Sequence, residues 1–188
     1  MTIERIYLTG FMTCGKSTIG PILANTIGWN FYDLDDVIKE SEKMSVVDIF
    51  KNQGEAYFRN LETETLARIS GESKTIIALG GGTMANEKNV EIMKNSGKII
   101  YLKVSPEMIY KRIKNKIDRP LFRDLVLEER PREDFIDRIM DILDDREKYY
   151  RLADLVVESE NTPLGITVDT IVRELRKRGY MTDQTKKD

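Results

Sequence analysis

Read from its start, the chain alternates short apolar runs with longer stretches in which apolar residues return every three to four positions. RIYLT precedes the helical pattern Lys16–Ile27, and NFYDL precedes the patterns Asp35–Glu42, Ser45–Asn52 and Gly54–Ile69. TIIAL leads into Asn86–Asn95, KIIYLKV into Pro106–Lys114 and Arg132–Leu152, and DLVVE into Pro163–Lys177. β-Branched residues crowd the short runs, which suits strands, while the period of the long ones suits amphipathic helices. The predicted strands cover about residues 4–9, 30–34, 75–79, 98–104 and 154–158. Parallel strands need a crossover between them, so this alternation predicts an α/β, three-layer fold. Its centre is a five-stranded parallel sheet flanked by helices. Ser45, Ser105 and Thr162 are the helix-start signals, the last two each followed by proline.

At 188 residues the chain is close to the size of one domain, and residues 1–180 read as such. The periodicity lapses between Lys114 and Arg132, in KNKIDRPLFRDLVLEERPR, where two prolines interrupt a highly charged stretch. Residues 115–131 are therefore expected to form a mobile lid, and the polar residues 181–188 a flexible tail. The net charge of -2 leaves no basic excess for nucleic acid or an anionic membrane surface. One cysteine cannot form an internal disulfide. The opening MTIERIYLTG lacks the cationic region and apolar core of a signal peptide, and no apolar run nears a membrane span. A cytoplasmic monomer is expected. With no histidine in the chain, acid–base chemistry falls to Asp, Glu, Lys, Tyr or Cys.

The firmest chemical signal is LTGFMTCGKSTIG. Gly10, four residues, then Gly15-Lys16-Ser17 fit G-x-x-x-x-G-K-[ST], directly after a strand pattern and before a helical one. Glycines let backbone N–H groups converge on phosphate oxygens, and the helix N-terminus adds partial positive charge. Lys16 neutralises those oxygens, and the Ser17 hydroxyl suits Mg²⁺. Cys14 lies beside Lys16 and a helix N-terminus, a setting for thiolate chemistry, although a small loop filler satisfies the pattern equally well. Asn115-Lys116-Ile117-Asp118 spells the guanine-reading N-K-x-D, but it continues a helical pattern begun at Pro106, and the chain contains no D-x-x-G. A GTPase is not supported.

Three further stretches concern an acceptor. In NFYDLDD, Asp33 and Asp35 flank one residue at the end of a strand, where open α/β sheets bind ligands. One carboxylate there can hold a Mg²⁺-bound water and the other can take a proton from an attacking hydroxyl. A plain helix cap is the simpler use. In GEAYFRNLETE, Arg59 and Glu62 share a helix face. They either pair with each other or leave the planar fork of Arg59 for a substrate carboxylate. In ALGGGT, three glycines after a strand allow a ligand to approach the backbone.

Taken in order, GFMTCGKSTIG, FYDLDDVI, GEAYFRNLE, ALGGGT, DRPLF and REKYYRLAD resemble the shikimate kinase family, over residues from Ile3 to about Arg176. The resemblance implies a phosphate-loop kinase fold with a mobile lid. It implies ATP-dependent phosphorylation of the 3-hydroxyl of shikimate, within chorismate and aromatic amino-acid biosynthesis, with Mg²⁺ accompanying ATP. Lys16, Asp35 and Arg119 would be catalytic. ATP would meet Thr13, Cys14, Gly15, Lys16, Ser17, Thr18, Arg112, Arg119, Asn161 and Pro163. Shikimate would meet Asp35, Arg59, Gly80, Gly81, Gly82 and Arg146, with the acceptor region centred on residues 33–62. Ser17 would ligate the metal directly and Asp33 through water, and Phe50 and Phe58 would wall the acceptor pocket.

Three features depart from the family pattern. Thr13 stands where the family usually has glycine, REKYY keeps Arg146 and Tyr150 but lacks a proline, and the stretch from Arg119 to Arg146 is longer than usual. The competing readings are another small-molecule kinase of the superfamily, acting on gluconate or a nucleoside monophosphate, and an ATP-responsive binding protein without catalysis. Two arginines suited to a carboxylate, together with D-L-D, favour a hydroxylated acid.

Overall fold

A computed structural model describes residues 2–160 and 162–181, so Asn161 and the tail from residue 182 onward lie outside the described residues. Five strands form: β1 (Arg5–Thr9), β2 (Asn30–Asp33), β3 (Thr75–Ala78), β4 (Lys98–Lys103) and β5 (Leu155–Glu158). All pairings are parallel, in the order β2-β3-β1-β4-β5. Successive side chains on a strand point to opposite faces, and β1 shows the consequence. Ile6 and Leu8 enter one apolar core while Tyr7 enters the other. The buried Tyr7 hydroxyl bonds Ser70 Oγ at 2.8 Å and Ser96 Oγ at 2.6 Å, which satisfies the one polar group in that position.

The first core is covered by α1 (Lys16–Ile27), α5 (Pro106–Ile113), α7 (Arg132–Tyr150) and α8 (Leu164–Lys177). The second lies under α2 (Leu34–Glu42), α3 (Val46–Ile69) and α4 (Glu87–Ser96). These are the helices on both faces that the alternation implied. The expected division between residues 52 and 54 survives as a break inside α3, where Gly54 takes φ 85°, ψ 169°. A positive φ of this kind is costly for any residue with a Cβ, so glycine sits where the axis changes.

Ser45 and Ser105 cap α3 and α5 with their hydroxyls, as expected. Thr162 does not cap α8. Pro163 takes the cap position itself, one residue nearer the helix, and Thr162 Oγ1 pairs instead with Thr167 Oγ1 at 3.0 Å. Residues 115–118 follow helix α5 rather than a strand, which removes the structural context of N-K-x-D. The 115–131 segment holds a 3-10 turn (Pro120–Phe122) and the short helix α6 (Arg123–Leu127), pinned by buried Phe122 and Leu125. No helix among the described residues is long and apolar enough to cross a membrane.

Candidate active site

Because all five strands run the same way, their carboxyl ends share one edge, and a cleft of about 490 Å³ opens there. The phosphate loop between β1 and α1 forms its floor through Thr13, Gly15, Lys16, Ser17 and Thr18. Lys16 Nζ donates to Gly10 O at 2.9 Å and Phe11 O at 3.4 Å, so the amine is held over the loop. Ser17 Oγ donates to Asp33 Oδ2 at 2.8 Å, while Asp33 Oδ1 accepts the Asp35 N–H at 3.2 Å as the N-cap of α2. Asp33 thus serves as the helix cap and also lies against Ser17, the hydroxyl that the resemblance assigns to the metal. A hydroxyl and a carboxylate in contact form an all-oxygen donor set, which fits Mg²⁺, an ion that usually keeps waters and phosphate oxygens as its other ligands. No group of three or more His, Cys, Asp or Glu side chains that could hold a metal ion is found among the described residues.

The acceptor side is organised by the loop after β3. A Cβ on Gly80 would lie 2.8 Å from Asp35 Oδ1, and one on Gly81 would lie 3.1 Å from Arg146 Nη1. One on Gly82 would lie 2.7 Å from Arg59 Nη2. Each glycine therefore makes room for one of the three side chains that the resemblance assigns to the acceptor. Burial, then the negative charge of Asp33 and that of Glu62, push the Asp35 carboxyl up to about 6, while Lys16 and Lys39 pull the other way.

Arg59 is steered from behind. Its Nη1 donates to Glu62 Oε2 at 3.0 Å, and its Nε and Nη2 donate to Glu55 Oε1 at 3.4 and 3.3 Å. Glu62 is 1% exposed, and its other oxygen accepts from Thr83 Oγ1 at 2.7 Å. The Thr83 carbonyl accepts in turn from Asn89 Nδ2 at 3.1 Å. A guanidinium offers five N–H donors, so these three bonds leave two for a ligand. The Arg59–Glu62 pair and a substrate-facing Arg59 are compatible. Arg146 makes no ion pair with an acidic side chain among the described residues, and Arg119 enters the same cleft from the lid.

Several expected residues stand elsewhere. Cys14 is 1% exposed and outside the cleft wall. Its N–H donates to Phe11 O at 3.1 Å, its carbonyl accepts from Ser159 Oγ at 3.0 Å, and its Sγ lies against Gly10. The tight loop turns this side chain inward, so the thiol is a filler. Arg112 does not line the cleft but donates from Nη1 to Thr13 O at 2.6 Å, bracing the phosphate loop. Pro163 is exposed and outside the cleft. Phe50 and Phe58 pack with ring centres 4.7 Å apart and planes tilted by 35°, beneath the Arg59 guanidinium, whose carbon is 5.9 and 5.4 Å from their ring centres. They support the arginine rather than wall the cleft. Met12, Leu79 and Leu121 supply apolar wall instead. Each lies within a motif already singled out, whereas nothing in the sequence marks Asn89.

The shikimate kinase family model matches residues 12–176, a span that includes the lid and every acceptor-side group just described. The chain belongs to the shikimate kinase family. It is 41% identical over 172 residues to the shikimate kinase of Chloroherpeton thalassium, covering 92% of each chain. The identity to the shikimate kinase of Chlorobaculum parvum is also 41% over 172 residues, with the same coverage. Among solved structures, shikimate kinase from Acinetobacter baumannii in complex with shikimate aligns with a TM-score of 0.83 at 28% identity, covering 96% of this chain and 97% of that one. The shikimate kinase of Aquifex aeolicus aligns with a TM-score of 0.76 at 34% identity, covering 95% and 99%.

Proposed function

We propose that the chain transfers the γ-phosphoryl group of ATP to the 3-hydroxyl of shikimate, with the residues of this cleft in the following roles. The observation that carries the acceptor assignment is the run Gly80, Gly81, Gly82, against which Asp35, Arg146 and Arg59 each close. One base and two cations around a single small space suit a hydroxylated acid, whose carboxylate meets the arginines while a hydroxyl meets Asp35.

As the hydroxyl oxygen bonds the γ-phosphorus and the bridging bond to the β-phosphate breaks, Asp35 takes the hydroxyl proton. Lys16 turns from the loop carbonyls to the phosphates, and Arg119 joins it in neutralising charge that builds on the transferring group. Thr13, Gly15, Ser17 and Thr18 hold the phosphates, with Arg112 bracing the loop. Ser17, and Asp33 through water, would hold Mg²⁺, which when bound supplies further neutralisation and orientation of the phosphates. Closure of the lid excludes water, the competing acceptor.

The net charge of -2, with no basic excess, supports small-molecule partners rather than nucleic acid or a membrane surface, and a monomer is the simplest assembly for such an enzyme. The cytoplasm suits such an enzyme. The test is ADP release with shikimate, gluconate and nucleoside monophosphates side by side. Shikimate alone is expected to sustain turnover, and Arg59→Ala is expected to cost several orders of magnitude in kcat/KM for it. A preference for gluconate or a nucleotide, or near-normal turnover by Arg59→Ala, would overturn the assignment.

A further inference from the structure

Phe11, the residue after the first glycine of the phosphate loop, is 2% exposed, yet its ring reaches beyond the loop. Its carbonyl accepts the Cys14 N–H and the Lys16 amine, so the backbone belongs to the donor side. The ring meets Phe122, at the root of the lid, edge to face with centres 6.4 Å apart and planes at 63°. The Arg146 guanidinium carbon lies 5.8 Å from the centre of the same ring. One side chain therefore touches the lid root and the acceptor-side arginine while its backbone helps to hold Lys16.

We infer that Phe11 is a positioning residue for phosphoryl transfer, seating Arg146 relative to the phosphate loop through its ring face. The inference rests on the reading of Arg146 as a ligand of the substrate carboxylate. Arg146 has no acidic ion-pair partner among the described residues, so the Tyr150 phenol beside it, the aromatic face of Phe11 and the space over Gly81 locate its charge. Cation–aromatic contacts are electrostatic and strengthen when partly desolvated, as for this half-buried arginine. A simple core-filling role for Phe11 predicts something else, a loss of stability with no particular link to Arg146.

The experiment is a double-mutant cycle with Phe11→Leu and Arg146→Ala, reading kcat/KM for shikimate and ATP affinity without shikimate. Phe11→Leu keeps an apolar side chain of similar reach and removes the ring. It is expected to lower kcat/KM for shikimate about 5- to 20-fold, with ATP affinity held within about twofold. In the Arg146→Ala background the same change is expected to cost nothing further. Losses that multiply, or a Phe11→Leu enzyme with unchanged shikimate kinetics, would overturn the inference. If Arg146→Ala alone leaves kcat/KM for shikimate intact, the carboxylate reading fails instead. Phe11→Met is measured in parallel with thermal unfolding, so that a folding defect in one variant leaves the cycle readable.

Discussion

Asp35→Asn is expected to stabilise the protein while removing its activity. The carboxyl ordinarily ionises near 3.8, and burial beside Asp33 and Glu62 pushes it up to about 6. Holding it ionised at neutral pH therefore costs the folded state up to about 3 kcal/mol, which a neutral amide avoids. The sign follows from the two states. The folded protein keeps this proton up to about 6, whereas the unfolded chain releases it near 3.8. The stability tied to the protonated form is full below the lower value and is lost as pH rises through the upper one.

Thermal unfolding of nucleotide-free wild type and Asp35→Asn across pH 4 to 8, read with turnover, checks this. At pH 8 the variant is expected to melt higher by up to about 10 °C, since each kcal/mol moves a domain of this size by about 2–4 °C. The gap narrows toward pH 4. Turnover is expected to fall by about 10²- to 10⁴-fold, the usual contribution of a positioned general base. Wild-type kcat/KM for shikimate is expected to decline below pH 6 as the same carboxyl takes its proton. A melting gap that ignores pH, or a variant less stable than wild type at pH 8, would refute the reasoning.

Two other perturbations separate the acceptor side from the lid. Gly82→Ala inserts a Cβ 2.7–3.0 Å from the atoms of the Arg59 guanidinium, so that side chain must move. A displacement of about 1 Å in a positioning group can cost about 10²-fold. The KM for shikimate is expected to rise at least about 10-fold while that for ATP hardly changes, and equal rises for both substrates would contradict the assignment. Arg138→Ala removes the contacts of Nη1 with Leu121 O at 3.1 Å and with both Asp124 carboxylate oxygens, at 2.6 and 2.8 Å, which tie the lid root to α7. Arg138 and Asp124 are 36% and 50% exposed, so solvent screens the pair and the loss of stability is small. The KM for ATP is expected to rise a few-fold with little change in melting temperature, and the wild-type advantage should shrink in high salt. An unchanged KM for ATP would dismiss the tether.

The strand–helix alternation and the phosphate loop were legible because each is a local pattern. β1 reads as an apolar run, Gly54 as a break in a helical period, and Gly10 with Gly15-Lys16-Ser17 as a fixed spacing. Cys14 was open to two local readings, a thiolate beside Lys16 or a small loop filler. Burial decides for the filler, because reactivity also needs access and the direction of the side chain is set by packing against Gly10. Phe122 and Leu125 carry no period that sequence could register, because a 3-10 turn and a five-residue helix are too short to repeat. The raised pKa of Asp35 comes first from burial, with Asp33 and then Glu62 adding to it, and neither that burial nor the approach of Glu62 on a separate helix is contained in NFYDLDD alone.

The glycine run shows where local reading and structure part most sharply. In sequence, Gly80 to Gly82 suggest a backbone open to a ligand, and that remains available on the cleft side. Their missing side chains are also required by the protein itself, because Asp35 arrives on α2, Arg59 on α3 and Arg146 on α7. Helices from three separate parts of the chain thus converge on consecutive residues at the end of one strand. Consecutive Cα atoms are held about 3.8 Å apart by the trans peptide, so the glycine run brings one carboxylate and two guanidiniums to adjoining places on a covalently fixed strip. The adjacency of base and cations then depends less on how the helices slide against one another. A Cβ at Gly81 or Gly82 would push Arg146 or Arg59 out of place, and one at Gly80 would crowd Asp35 together with Glu62 and Thr83, which makes the run a gauge for the acceptor as well as a contact for it.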